Sequence, residues 1–151
     1  MKKLLLITLI ISSILCFGCS KNNDDSDIMV KLNKVDISAI SNPKIKNIIN
    51  DDSLEEGVYQ INTSSNTYIY FLGIENEFSD ISCNLEDYTL NIVASLNKKD
   101  NPDDSKELSQ KLFVIYQKNT TISDDKTKYY DTIKLTINNK ESSFKSSSVL
   151  Y

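Results

Sequence analysis

The chain has 151 residues, of which 17 are basic and 21 are acidic, so its formal net charge at pH 7 is −4. All of the basic residues are lysines, and arginine, histidine and tryptophan are absent. Proteins that bind nucleic acid usually carry a basic footprint rich in arginine, so this class is excluded. The absence of histidine excludes histidine-based catalytic triads and histidine-liganded zinc sites.

The first 20 residues have the three parts of an export signal. Lys2 and Lys3 give a positively charged start, and residues 4–17 form an apolar run. This run is shorter than the roughly 20 residues that a spanning helix needs. A polar stretch, residues 20–27, follows it. The pattern predicts a segment that directs export and is then removed.

The end of the apolar run reads Leu15, Cys16, Phe17, Gly18, Cys19. It resembles the lipobox of bacterial lipoproteins, in which a leucine, a small residue and a glycine or alanine precede the modified cysteine. The resemblance implies cleavage between Gly18 and Cys19 and a diacylglyceryl group on Cys19. Leu15 stands four residues before Cys19 instead of three, and Phe17 is bulkier than usual. An ordinary cleaved signal peptide and an uncleaved N-terminal anchor are the alternatives.

Three parts are therefore predicted. Residues 1–18 are the lipoprotein signal peptide, residues 19–27 are the lipidated Cys19 and a flexible tether, and residues 28–151 are a single β-rich extracytoplasmic domain. The expected location is the outer face of the cell membrane, held by the lipid on Cys19. The richness in lysine, asparagine and isoleucine is typical of a Gram-positive bacterium of low G+C content.

Cysteine usage limits the chemistry of this domain. Cys16 leaves with the signal and Cys19 is the lipidation site, so Cys83 remains alone, without a disulfide partner or a cysteine metal site. Cys83 alternates in phase with Ile81 and Leu85. This spacing favours a small buried hydrophobic residue over an activated nucleophile.

A helix is predicted over residues 41–52. Pro43 suits a first helical turn, and Ser41 or Asn42 can cap it. One more helical turn is predicted at residues 53–56, from their capping-box spacing. The helix would present one apolar stripe, made of Ile45, Ile48 and Ile49.

Elsewhere the apolar residues recur with a period of two, which predicts strands. The predicted strand or extended segments are 28–40, 58–63, 67–74, 81–85, 88–96, 110–117, 132–137 and 140–145. Short hairpin connections are predicted at residues 64–66, at Glu86 and Asp87, and at Asn138 and Asn139. Residues 68–72 are apolar on both faces, so their strand is expected at the centre of a sheet. A loose tail is predicted from Ser146.

These elements predict a mainly β (α+β) fold. The expected architecture is an antiparallel β-sandwich or curled sheet of about six to seven strands, with one short N-terminal helix packed on it. Two polar stretches, residues 97–109 and 118–128, are expected to be exposed loops.

Six acidic residues in these loops are candidate ligands for a cation: Asp100, Asp103, Asp104, Glu107, Asp124 and Asp125. Clustered carboxylates are a way to hold Ca²⁺. Their spacing does not match an EF-hand loop, so solvated loops are the favoured interpretation. No metal site, cofactor or catalytic set is predicted.

The eight tyrosines are the remaining signal. Five of them are predicted to lie within strands as core or sheet-face residues: Tyr59, Tyr68, Tyr70, Tyr88 and Tyr116. Tyr129 and Tyr130 lie where a loop meets a strand. An exposed pair there would contact a partner; alternatively, the two rings cover the end of the sheet.

The function predicted from these observations is a membrane-anchored surface lipoprotein. It would have a non-catalytic binding or structural role in the cell envelope, with an envelope protein as partner. One alternative is an accessory or inhibitory subunit of an extracytoplasmic enzyme, acting through residues 97–109 or 118–128. Another is a binder of a small ligand or Ca²⁺.

Overall fold

The computed structural model describes residues 28–100, 107–119, 129–145 and 147–150. The predicted signal peptide, the lipidation site at Cys19 and the tether lie outside the described residues. So do four of the loop carboxylates, Asp103, Asp104, Asp124 and Asp125. The predictions made for these residues stay predictions.

The described residues form one α-helix, one 3-10 turn and nine strands. Helix α1 spans Pro43–Ile49, and the 3-10 turn spans Ile37–Ala39. The strands are β1 (Ile28–Val35), β2 (Gly57–Thr63), β3 (Thr67–Gly73), β4 (Asn76–Glu86), β5 (Thr89–Lys98), β6 (Ser109–Asn119), β7 (Thr132–Ile137), β8 (Lys140–Ser142) and β9 (Ser147–Leu150). The predicted mainly β class with one short early helix is confirmed. The expected loose tail is wrong, because residues 147–150 form β9.

The strands form two sheets. One has five strands in the order β1-β6-β3-β2-β9, and the other has four in the order β4-β5-β7-β8. Most neighbours are antiparallel, but β9 runs parallel to β2 and β7 runs parallel to β5. The predicted antiparallel arrangement therefore holds for most neighbouring strands, but not for these two pairs. After β5 the chain crosses to the other sheet to form β6, and it returns so that β7 starts from the same end as β5.

Helix α1 forms where the sequence predicts it. The side chain of Asn42 accepts hydrogen bonds from the backbone N–H of Lys44 and Ile45, at 3.0 and 3.4 Å. The helix is short because Asp51 and Asp52 follow it, and acidic residues are unfavourable at a helix C-terminus. The further turn predicted at residues 53–56 is not helical. Instead, Asp51 accepts hydrogen bonds from the N–H and hydroxyl of Ser53.

Strand β3 occupies the centre of the five-stranded sheet, as predicted. Ile69 and Phe71 point to the core that the two sheets share, with neighbours that include Phe78, Leu90 and Leu135. On the other face, two buried rings and two leucines pack with the helix residues: Tyr59, Tyr70, Leu72 and Leu112 against Ile45 and Ile49. The side chains of β3 are therefore buried on both faces of the sheet.

A buried polar network fixes the end of the helix on this sheet. The Gln110 side-chain amide donates to the hydroxyl of Tyr70 at 2.9 Å and to the carbonyl of Ile49 at 3.3 Å. The Tyr70 hydroxyl in turn donates to the Ile49 carbonyl at 3.4 Å. Burial raises the pKa of Tyr70 to about 12, so the ring stays neutral. The network satisfies a carbonyl that the last helical turn leaves open.

The turn between β3 and β4 is held by Glu56. One oxygen of its carboxylate accepts the backbone N–H groups of Ile74, Glu75 and Asn76 at 2.8 to 3.0 Å. The other oxygen accepts the side-chain amide of Asn76 at 2.6 Å. Partial burial alone would raise the pKa of Glu56, but these four hydrogen bonds outweigh it and hold the pKa below its usual range.

Replacing Glu56 with glutamine is expected to lower the free energy of unfolding at pH 7 by about 1 to 2 kcal/mol, since a charged acceptor of backbone N–H groups is lost. The pKa of Glu56 is lower in the folded state, so its contribution is complete above the pKa of the unfolded chain. The contribution is lost as the pH falls through the folded pKa. Urea unfolding of both proteins at pH 7 and in acid measures this. A difference that is equally large in acid would contradict the assignment.

The two tight hairpin turns use left-handed backbone. Asn138 and Asn139 have φ of 50° and 61°, as predicted for this pair. At the β4–β5 turn the central residues are Asp87 and Tyr88, with φ of 45° and 58°. The prediction that Tyr88 lies within a strand is wrong, because β5 begins at Thr89 and Tyr88, which is 67% exposed, lies at the tip of this hairpin.

Candidate binding surface

The helix covers only part of the outer face of the five-stranded sheet. A seven-residue helix is about 10 Å long, whereas an 11-residue strand such as β6 is about 36 Å long. The helix packs on Tyr59, Tyr70 and Leu112, towards one end of this face. Beyond Val114, the outer face of β6 extends past the residues that pack with the helix.

We call the remaining part of this outer face the Tyr116 face. It is made of six residues on β1, β3 and β6: Met29, Lys31, Tyr68, Val114, Tyr116 and Lys118. The register brings them together, because Lys31 pairs with Tyr116 and Tyr68 pairs with Val114. Met29 is 41% and Tyr116 37% exposed. Met29, Val114 and Tyr116 belong to neither of the two core clusters.

The charge of the Tyr116 face differs from that of the chain as a whole. The ammonium group of Lys31 lies 5.2 Å from the centre of the Tyr116 ring, within the range of a cation–π contact. Lys118 is exposed, and its backbone pairs with Met29. Among the described outer-face positions of β1, β2, β3 and β6, none is acidic. The face is therefore cationic and aromatic, in a chain of net negative charge.

A polar cleft borders this face. It has a volume of about 720 Å³ and is lined by residues of the β2–β3 turn together with Tyr116, Gln117 and Tyr130. Several of its polar groups bond to each other; for example, the Thr67 hydroxyl donates to the side-chain oxygen of Asn62 at 3.0 Å. The cleft gives the Tyr116 face a polar rim, which is typical of binding surfaces.

The two tyrosines singled out as a partner-binding pair are not exposed. Tyr129 is 8% and Tyr130 4% accessible. Tyr130 belongs to the core between the sheets, and burial raises its pKa while a hydrogen bond with Thr67 opposes this. The burial agrees with the alternative in which these rings cover the end of the sheet.

Cys83 is half-buried and packs against the shared core. Burial raises the pKa of its thiol, and a hydrogen bond with the backbone of Leu32 only partly opposes this. A thiol with a raised pKa is a poor nucleophile at neutral pH. Its packing fits the small hydrophobic residue that the sequence predicts.

A second cleft, of about 600 Å³, lies between the two sheets near the start of β2. Its floor includes Val58 and Phe78, each of which is only 1% exposed. Two of the charged groups at its rim already have partners. Glu56 holds the β3–β4 turn, and Lys145 pairs with Glu55 at 2.9 Å. This cleft therefore offers a ligand little exposed apolar surface and few polar groups that are not already bonded.

Within the described ranges, no three acidic or cysteine side chains come together as metal ligands. Asp100 and Glu107 flank the undescribed centre of the first polar loop. The Lys99 ammonium joins this loop to the β3–β4 turn by donating to the carbonyls of Ile74 and Glu107. In the same part of the chain, no helix has the length and apolar character needed to cross a bilayer.

Comparison with family models, with curated proteins and with solved structures found no match to this chain.

Proposed function

We propose that the chain is a lipid-anchored protein of the cell envelope that binds another envelope component through the Tyr116 face and performs no catalysis. The Tyr116 face carries the proposal, because exposed methionine and tyrosine side chains lie side by side on a rigid sheet. Tyrosine and methionine are enriched at protein interfaces. The proposed scaffold is a β-sandwich, supported by the core to which both sheets contribute.

The position of the face supports its use next to the membrane. Strand β1 begins at Ile28, and Met29 is the next residue. Eight residues, 20–27, lie between Ile28 and a lipid-bearing Cys19 in the anchored form that the sequence predicts, a reach of at most about 32 Å. A face at the start of β1 would therefore stay close to the membrane surface, where other anchored proteins are concentrated.

Site-specific photocrosslinking tests this function. We expect a photoreactive benzoyl-phenylalanine in place of Tyr116, in the full chain on intact cells, to give a discrete crosslinked product. The same group in place of Lys134 should give none, because Lys134 is exposed on the outer face of the other sheet. Equal products from both positions, or none from position 116, would refute binding through this face.

The anchor is tested separately in the same cells. Cys19→Ser removes the acceptor for the acyl chains, so we expect most of the protein to leave the membrane fraction. Cys16→Ser is the matched control and should leave the protein membrane-bound. Unchanged membrane association of Cys19→Ser would reject lipid anchoring. It would not affect the crosslinking test, which examines binding through the Tyr116 face separately.

A further inference from the structure

We infer that the partner presents a short, extended, acidic peptide segment to the Tyr116 face; this inference rests on the proposed function. The Tyr116 face is positively charged. Lys31 and Lys118 are both exposed on this surface, and neither forms an ion pair with a described residue. Two such cations, on a face whose described residues include no acidic group, attract a negatively charged ligand and repel a basic one.

The surroundings of the face carry charges of both signs. The other sheet exposes lysines, namely Lys98, Lys134 and Lys140, beside acidic groups such as Asp80, Glu86 and Glu141. The Tyr116 face differs because its described residues include lysines and no acidic group, so an acidic segment meets attraction there without repulsion from neighbours on the same face. The Lys31–Tyr116 contact also holds the ammonium group over the ring. A carboxylate of the peptide that pairs with Lys31 would therefore place the next side chain of the peptide against Tyr116.

The Tyr116 face is small. From the level of Val114 to that of Lys118 the face is about 14 Å long, and three strand axes span about 10 Å. A stable interface between folded proteins covers roughly 800 Å² on each partner, several times this area. An extended segment of about four residues spans the same 14 Å. The size therefore favours a peptide segment over a second copy of this chain.

The apolar side chains decide the composition of the segment. Met29 and Tyr116 offer carbon-rich surface between the two lysines, and Val114 continues it along β6 beyond the level of Lys31. A purely acidic segment would leave this surface wet, whereas acidic residues interleaved with leucine or a similar residue would cover it. The inferred ligand is thus acidic and partly apolar.

A fluorescent hexapeptide of four glutamates and two leucines is the probe. We expect it to bind the full-length protein in phosphatidylcholine nanodiscs, measured by fluorescence anisotropy. A matched peptide with glutamine in place of glutamate should bind at least about tenfold more weakly, since two charge pairs are lost. Raising the salt concentration from 50 to 500 mM should weaken binding of the acidic peptide and leave the glutamine peptide unchanged.

Variants locate the site. Lys31→Glu combined with Lys118→Glu should weaken binding by about tenfold or more. Lys134→Glu makes the same type of charge change on the other sheet and should have less than about a twofold effect. Circular dichroism of each variant checks that the fold is kept, which is expected because all three lysines are exposed.

Several outcomes would overturn the inference. They are equal affinity for the two peptides, equal effects of the two charge reversals, or binding of an anionic polysaccharide such as polygalacturonate without binding of the acidic peptide. A concentration-dependent dimer blocked by the Lys31 and Lys118 changes would also overturn it. Crosslinking at position 116 without acidic-peptide binding would reject this inference and leave the proposed function standing.

Discussion

Phe71→Ala is expected to lower the free energy of unfolding by about 3 to 5 kcal/mol, the range for removing a fully buried phenylalanine. Phe71 is 0% exposed at the centre of β3. Its ring meets Phe78 of the other sheet edge-on with centroids 5.3 Å apart, and Phe113 of β6 at 5.8 Å. One side chain therefore joins both sheets, and its loss leaves a cavity between them. Urea unfolding followed by circular dichroism measures the effect.

Tyr116→Ala on β6 of the same sheet is the matched control. Its ring lies on the Tyr116 face, outside both core clusters, so the expected cost is within about 1 kcal/mol. The same variant should lose binding at this face. A cost similar to that of Phe71→Ala would mean that Tyr116 is a core residue and would count against the binding surface.

Gly73→Ala is expected to destabilise the protein by about 2 to 3 kcal/mol through overpacking at a tight turn. An added Cβ at Gly73 would lie 2.1 Å from the backbone carbonyl oxygen of Asn76. That oxygen cannot swing aside as a flexible side chain would, because Glu56 binds the backbone N–H of the same residue. The turn must therefore open, and the unfolding free energy measures the cost.

A double-mutant cycle with Glu56→Gln identifies the turn as the cause. If Gly73→Ala opens the turn, the hydrogen bonds of Glu56 are already lost, and the two changes together should cost less than their sum by about 0.5 to 1 kcal/mol. Strict additivity would show that Gly73→Ala acts somewhere other than the turn that Glu56 holds.

Local patterns in the sequence were sufficient to predict most single elements. Asn42 and Pro43 predicted the start of the helix, Asn138 and Asn139 the left-handed turn, and the two-sided apolar run in β3 its central place. Each signal depends on a residue's own backbone preference or on its nearest neighbours. Such local preferences predict structure even when the tertiary contacts of the chain are unknown.

Pairing between distant segments could not be predicted in this way. Alternation shows which face of a strand is buried but not which strand lies beside it, so the parallel β5–β7 and β2–β9 pairs were missed. The role of Glu56 depends on three N–H groups that lie 18 to 20 residues further along the chain. Burial of Tyr129 and Tyr130 depends equally on tertiary packing.

The proposed binding surface has one signal in the sequence. Strand β6 is apolar on both faces, with Val114 and Tyr116 on one and Phe113 and Ile115 on the other. A seven-residue helix is too short to cover both this strand and β3 along their whole length. When strands that are apolar on both faces are longer than the helix that can cover them, part of an apolar face is predicted to be exposed. The pattern does not predict which residues form that part.

The order of strands in the two sheets has a consequence for how the domain folds. Strand β1 pairs with β6, so residue 28 must meet residue 119 before the edge of its sheet exists. The other sheet is likewise assembled from strands on both sides of β6 along the chain. Neither sheet is a continuous stretch of sequence, so neither sheet can fold independently before the other forms. We therefore expect slow, all-or-none folding, which is typical of sheets dominated by distant pairings. Until β7, β8 and β9 are available to pair, the chain should depend on chaperones or on protection from proteases.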